Sequence, residues 1–146
     1  MEERKHDTAP EAWIVVDRGL EPDARLANKG VYLKGRHPAL HEGAWVLVLN
    51  PAGGIVRIGC VLRIRVDAVG TSLYFDKAKT IEPAVGIGST GLLPPTTGCV
   101  VRAPWTEFAE AIPRALGITL AEIPLIENEA YVRELLQCAI MDDLLG

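Results

Sequence analysis

Cysteine is scarce in this sequence. Its 3 cysteines, Cys60, Cys99 and Cys138, stand 39 positions apart with no paired spacing. An odd, scattered set of this kind excludes a disulfide framework and offers no zinc-ligand pattern. Cys60 and Cys138 fall on apolar faces, which predicts buried structural thiols. No apolar run approaches the roughly 20 residues that a membrane span needs. The opening stretch MEERKHDTAPE has no apolar centre, so it does not read as a signal peptide. The expectation is a cytoplasmic protein that does not enter a membrane. Aromatic residues are few as well, with 3 Trp, 3 Tyr and 2 Phe, so the position of each ring carries weight. Internal repeats and coiled-coil heptads are absent.

Hydrophobic residues make up 49% and charged residues 23%, enough apolar matter for one folded domain with a real core. The net charge of -4 speaks against a nucleic-acid partner, but its distribution is uneven. Residues 1–105 carry 13 Lys/Arg against 11 Asp/Glu, whereas residues 106–146 carry 2 against 8. The acidity sits in the C-terminal part and leaves the rest free to present a basic face.

The pattern predicts an α+β domain. Residues 1–11 read as a flexible leader, residues 12–127 as a barrel domain and residues 128–146 as a C-terminal helix. Trp13–Val16 is a first strand, Glu21–Asn28 a helical turn, and Val31–Lys34 a second strand. Ala44–Leu49 is apolar at every position, as a strand buried on both faces would be. After the Asn50–Gly54 turn, Ile55–Val66 alternates. Val56, Ile58, Cys60, Leu62, Ile64 and Val66 fall on one face, while Arg57, Gly59, Val61, Arg63 and Arg65 make the other partly cationic. Ser72–Phe75 returns the chain. Residues 80–98, rich in Gly and Pro, read as loop, and Cys99–Arg102 as a closing strand. Thr106 is the expected cap of a helix from Glu107 towards Leu116, bent or ended by Pro113. Asn128 caps the last helix.

Catalytic signatures are wanting. Gly86-Ile87-Gly88-Ser89-Thr90-Gly91 matches GxGxxG, but Pro94 and Pro95 follow where the dinucleotide motif requires a helix, and no P-loop lysine is present. His37 and His41 have the spacing of a helical metal pair, yet Pro38 lies between them and the stretch reads as loop, so they are solvated or nucleic-acid-contacting histidines. Ser72 and Ser89 lack a nucleophile elbow. Asp142 and Asp143 read as a solvated helix face. The expectation is a binding domain with no cofactor and no metal.

What remains is a set of rings and polar groups near strand ends. Trp13, Asp17, Tyr32, Leu33, Lys34, Trp45, Asn50 and Tyr74 are candidate base-binding residues, the rings stacking on an extruded base and the polar groups reading its edge. Trp13 and Trp45 are equally open to a core role. Arg18, Arg36, Lys77 and Lys79 are candidate contacts to the phosphate backbone.

The order of elements resembles the PUA-like superfamily, in particular its EVE and YTH branches. A Trp-containing strand, Ala12-Trp13-Ile14-Val15-Val16, is followed by a Gly-x-aromatic strand, Gly30-Val31-Tyr32-Leu33. Then come Glu42-Gly43-Ala44-Trp45-Val46-Leu47, the small-residue step Ile58-Gly59-Cys60-Val61 and the aromatic strand Leu73-Tyr74-Phe75-Asp76. The likeness covers residues 12–83 and is one of pattern. It implies a small twisted β-barrel flanked by helices, with an aromatic pocket for a modified base. EVE domains are specificity modules of modification-dependent restriction enzymes, and YTH domains read methylated adenine in RNA. By position, Tyr32 would be a cage aromatic and Tyr74 a second wall. The sequence departs from the pattern in Tyr rather than Trp at residue 32, and in Ala44 where an acidic residue commonly follows the Gly.

The expected function is recognition of a modified base in DNA by a defence or restriction protein, DNA being favoured over RNA. A fused or associated nuclease or helicase is an expected partner. The alternatives are an RNA-binding module of the same fold and a protein-interaction domain acting through the acidic C-terminal helix.

Overall fold

A computed structural model describes residues 10–19, 29–126 and the single position 133. The expected helical turn over residues 21–28 and, apart from the helical position 133, the C-terminal helix over residues 128–146 lie outside the described residues. Six strands form one sheet: β1 (Ala12–Val16), β2 (Gly30–Lys34), β3 (Trp45–Leu49), β4 (Gly54–Val66), β5 (Gly70–Gly86) and β6 (Val100–Ala103). Their spatial order is β2-β5-β4-β3-β1-β6. β1 and β3 run parallel, and every other pair is antiparallel. Apart from the helical position 133, one α-helix is present among the described residues, α1 (Trp105–Leu116).

The sheet curls into a half-barrel, and its packing shows the curl. β2 and β6 stand at opposite ends of the strand order. Even so, Val31 and Leu33 of β2 share one buried cluster with Trp13 and Val15 of β1 and with Cys99, just before β6. Val46, Val48, Val61, Leu73 and Phe75 fill the same concave interior. The convex face carries Ala12, Ile14, Leu47, Leu49, Ile55 and Ile58, covered by Phe108, Ala111 and Ile112 of α1. Alternation along β1 and β3 therefore feeds two cores, which is why these strands are apolar throughout.

Two local expectations change. β5 continues to Gly86 through the region that its Gly and Pro content marked as loop. The thirteen-residue β4 supplies a ladder for it, pairing Gly54 with Gly86. α1 begins at Trp105 after an extended Pro104, with no side-chain cap, so Thr106 is not the cap. Pro113 lies inside the helix, which ends one turn later at Gly117 in the left-handed region (φ 73). Glu107 in the first turn and Arg114 in the last suit the helix dipole.

Two further corrections bear on the site. The partly cationic face of β4 is buried along its first half, at Arg57, Gly59 and Val61, and reaches solvent only towards Arg65. Arg57 is only 8% exposed and sits on the concave side beside Val48, where it donates to the Gly30 carbonyl of β2 (3.0 Å). Curling buries both sides of β4 along its first half, so a period of two does not separate core from water there. In the leader, Glu11 is anchored: its carbonyl accepts from Trp45 N–H, and its carboxylate holds His41 and Arg102.

Gly59 of β4 lies against the ring of fully buried Phe75, and a Cβ there would overlap the ring atoms. Gly59→Ala should therefore destabilise the domain by about 1–3 kcal/mol, the usual cost of overpacking, read as a lower urea midpoint at unchanged slope.

Candidate functional site

The half-barrel leaves a seam between β2 and β6, and main-chain geometry dictates what faces it. Phe75 N–H donates to the Lys29 carbonyl and Gly35 N–H to the Val69 carbonyl. In that register Val31 and Leu33 bond to β5, so the main-chain groups of Gly30, Tyr32 and Lys34 point to the open edge. The Gly30 carbonyl is taken by Arg57, and the Lys34 carbonyl lies 2.9 Å from His37 Nε2. The N–H and C=O of Tyr32 meet no partner among the described residues. Opposite, Val16 N–H donates to the Cys99 carbonyl, which turns the groups of Gly98 and Val100 outward. Arg18 donates to the Gly98 carbonyl at 3.4 Å.

Two cavities open along this seam. The first, about 390 Å³, has an apolar floor of Val16, Leu33 and Cys99, with Tyr32 on the β2 side. Arg18, Lys34 and His37 stand around it. The second, about 310 Å³, is walled by Trp13, Pro38, Leu40 and Val100, with Arg36 and Thr97. His37, Gly98 and Cys99 belong to both. These volumes lie at the small end of the range that ligand sites occupy, about 300–1,000 Å³.

Two polar braces hold the walls. On the β2 side, Asp67 in the β4–β5 turn accepts from the N–H groups of Val69 and Gly70 (both 2.7 Å) and from the Tyr32 hydroxyl (3.1 and 3.2 Å). The Gly70 and Val69 amides hold the Asp67 carboxyl below its usual range. Burial, with the carboxylate beside it, pushes the Tyr32 phenol up. Gly70 has to be glycine, since a Cβ there would collide with the Leu33 carbonyl and the tip of the Tyr32 ring. On the other side, Glu11 joins His41 (2.8 Å) to Arg102 (2.9 Å), tying the loop after β2 to β6. The Glu42 carbonyl, with Glu11 in a lesser part, raises the His41 pKa.

The seam gathers half of the residues expected from the sequence. Arg18, Tyr32, Leu33 and Lys34 line the first cavity, and Trp13 and Arg36 the second. Tyr32 contributes differently from expectation. Its ring lies on the side of β2 opposite Leu33 and clusters with Tyr74, its hydroxyl held by Asp67, so it is no free cage wall. Trp13 is 7% exposed, with an indole N–H that meets no acceptor among the described residues and the Arg102 guanidinium 6.0 Å from its ring centroid.

The other candidates lie elsewhere. Tyr74 is buried against Ile126, and Trp45 packs on the convex core. Asn50 Oδ1 accepts from the N–H groups of Ala52 and Gly54 and so fixes the β3–β4 turn. Asp17 Oδ1 accepts from Gly19 N–H. Lys77 and Lys79 stand opposite Cys60 and Ile58 on β4 and line neither cavity. Val16, Gly98 and Cys99 carried no signal of their own in the sequence, whereas His37 was visible only as a loop histidine. Among the described residues, no group of three or more His, Cys, Asp or Glu could hold a metal ion, and no helix is long and apolar enough to cross a membrane.

The His41–Glu11 pair gives a pH signature. Because the folded-state pKa of His41 is raised, its stabilisation is full below the unfolded value of about 6.5 and is lost as pH climbs through the higher folded value. The pair is partly exposed, so the effect should be a few tenths of a kcal/mol. Thermal melts between pH 6 and 8 should show wild type losing slightly more stability than His41→Gln. Asp67 works in the opposite sense: its lowered pKa gives stability that is complete above the ordinary carboxylate value and lost as pH falls through the lower one. Asp67→Asn should lack that acid limb of the pH–stability curve.

No protein-family model matches this sequence, and no curated protein matches it.

Proposed function

We propose that the seam binds a base of nucleic acid and that the domain is a non-catalytic reader, of the PUA-like kind its element order resembles. The observation that carries this reading is the main-chain edge of Tyr32, without a partner among the described residues, at a cavity lined by Arg18 and Lys34. A single extended residue offers an N–H donor and a C=O acceptor side by side. Bases present the matching pair at one edge, as adenine does with N7 and its N6 amino group. The apolar floor of Val16, Leu33 and Cys99 suits the face of a ring, and His37, which also lines the cavity, would be the aromatic side chain to stack on it. Arg18 and Lys34 stand where phosphates would follow.

On this reading the ring of Tyr32 positions and the main chain of Tyr32 reads. Asp67 and Gly70 then act on recognition through the placing of β2. A modified base in DNA remains the favoured target, the module serving a larger nuclease-containing protein as its specificity element. Preference for single-stranded RNA over DNA would mark the alternative.

Fluorescence anisotropy against a panel of duplexes, each with one methylated or hydroxymethylated base, tests the proposal. At least one modified duplex should bind tighter than the plain one. Stacking on an aromatic side chain is worth about 1–3 kcal/mol per base, so His37→Ala should weaken that complex by roughly 5- to 150-fold. Lys34→Ala should weaken plain and modified duplexes alike and lower the salt slope by about one. Equal binding of every duplex and of the plain control, unaffected by His37→Ala, would reject the reading of a modified base from duplex DNA at this seam.

A further inference from the structure

We infer that the seam takes two consecutive nucleotides of an unpaired strand, one base in the Tyr32 cavity and its neighbour in the Trp13 cavity. This inference rests on the base-reading proposal and goes beyond it in the length and strandedness of the ligand.

The two cavities abut at His37, Gly98 and Cys99. Gly98 has φ 73, and a Cβ built on it would meet nothing within 4 Å, so the space above this residue is open. A chain can therefore pass from one cavity to the next. The second cavity also repeats the features of the first. It has apolar walls in Trp13, Pro38 and Leu40, and an outward main-chain donor and acceptor in Val100. Val100 stands on β6 as Tyr32 stands on β2, each with its N–H and C=O directed away from its paired strand.

Charge argues for a nucleotide as the second occupant. Arg18 and Lys34 serve the first cavity and Arg36 the second, with His37 between. Lys34 and Arg36 are both exposed. A phosphodiester joining two bases would run along this row and be neutralised by it. A neutral group appended to the first base could fill the second cavity but would make no use of Arg36. A base extruded from a duplex would leave its neighbours in the stack and the second cavity unfilled. Two unstacked, consecutive bases satisfy both compartments.

The test uses the full chain and single-stranded oligonucleotides of one length whose sugars are abasic except at chosen positions. One set carries a single base, the best of the duplex panel. A second carries that base with an adenine adjacent, and a third separates the two by one abasic sugar. The spaced pair controls for the statistical gain of a second base. The single-base strand should bind tighter than the wholly abasic strand. The adjacent pair should bind about tenfold tighter still, as expected for one further stacked base. The spaced pair should show at most the statistical doubling.

Ala39→Phe fills the second cavity from an exposed wall position. It should abolish the tenfold gain while leaving single-base affinity intact, which also certifies the fold. Arg36→Ala should reduce the gain by the same logic. Adjacent and single-base strands of equal affinity, both above the abasic strand, would overturn the two-nucleotide site and leave base reading standing. No strand above the abasic control would overturn both. A single base bearing a bulky neutral substituent that gains in an Ala39→Phe-sensitive way, where the adjacent pair does not, would give the second cavity to the substituent and overturn the inference.

Discussion

A sheet that curls without closing leaves main-chain donors and acceptors along both of its end strands, and in this protein that unmet pairing shapes everything around the seam. Edge groups left without partners and shielded from water are costly. The chain meets part of the demand with side chains. Arg57 reaches through the concave interior to the Gly30 carbonyl, His37 folds back on the Lys34 carbonyl, and Arg18 closes on that of Gly98. Among the described residues, the outward main-chain groups of Tyr32 and Val100 are among those left without a partner. They flank the two cavities, so the sites of unmet hydrogen bonding and of open volume coincide.

An edge that recognises a ligand through its main chain is only as selective as its placement. Two polar braces, built on unrelated elements, fix the placement here. Asp67 ties the turn amides and the Tyr32 hydroxyl into one unit, with Gly70 allowing the ring to lie close. Glu11 couples His41 and Arg102 and so holds the loop that carries His37 and Leu40 against β6. Neither brace points into a cavity. Each sets the position of a wall, which is why buried Tyr32 can belong to the site without offering its ring to it.

The strand cores were legible in the sequence where local pattern and burial agree. β1, β2 and β3 are short apolar runs bounded by Gly, Asp or Asn, and they form within a residue or two of expectation. The second half of β5 was not legible, because its Gly and Pro content speaks for loop while the ladder that overrides it comes from β4. Arg57 misled for a similar reason: alternation assigns sides of a strand, and only the curl of the whole sheet decides that both sides are interior. Four of the eight expected base-binding residues are gathered elsewhere or spent on local turns, as with Asn50 and its two amide donors. Composition marks rings and polar groups near strand ends but does not say which ends meet. Gly98 and Cys99 could not be found this way at all, since their role comes from lying opposite β2 across an unpaired edge.

The charge distribution gains a physical meaning in this setting. Three of the cations around the seam, Arg18, Lys34 and Arg36, belong to the N-terminal two-thirds of the chain, whose balance is mildly positive despite a net charge of -4. A ligand approaching the seam responds to local potential within about one Debye length, roughly 8–10 Å at physiological salt. Overall acidity therefore weakens long-range attraction without cancelling what the rim offers at contact. A site of this kind, weakly steered and closed by short-range main-chain hydrogen bonds, would owe its selectivity to fit at the Tyr32 edge more than to electrostatic capture. On the proposed base-reading role, discrimination between one base and another would depend on the rigidity of β2, set by Asp67 and Gly70.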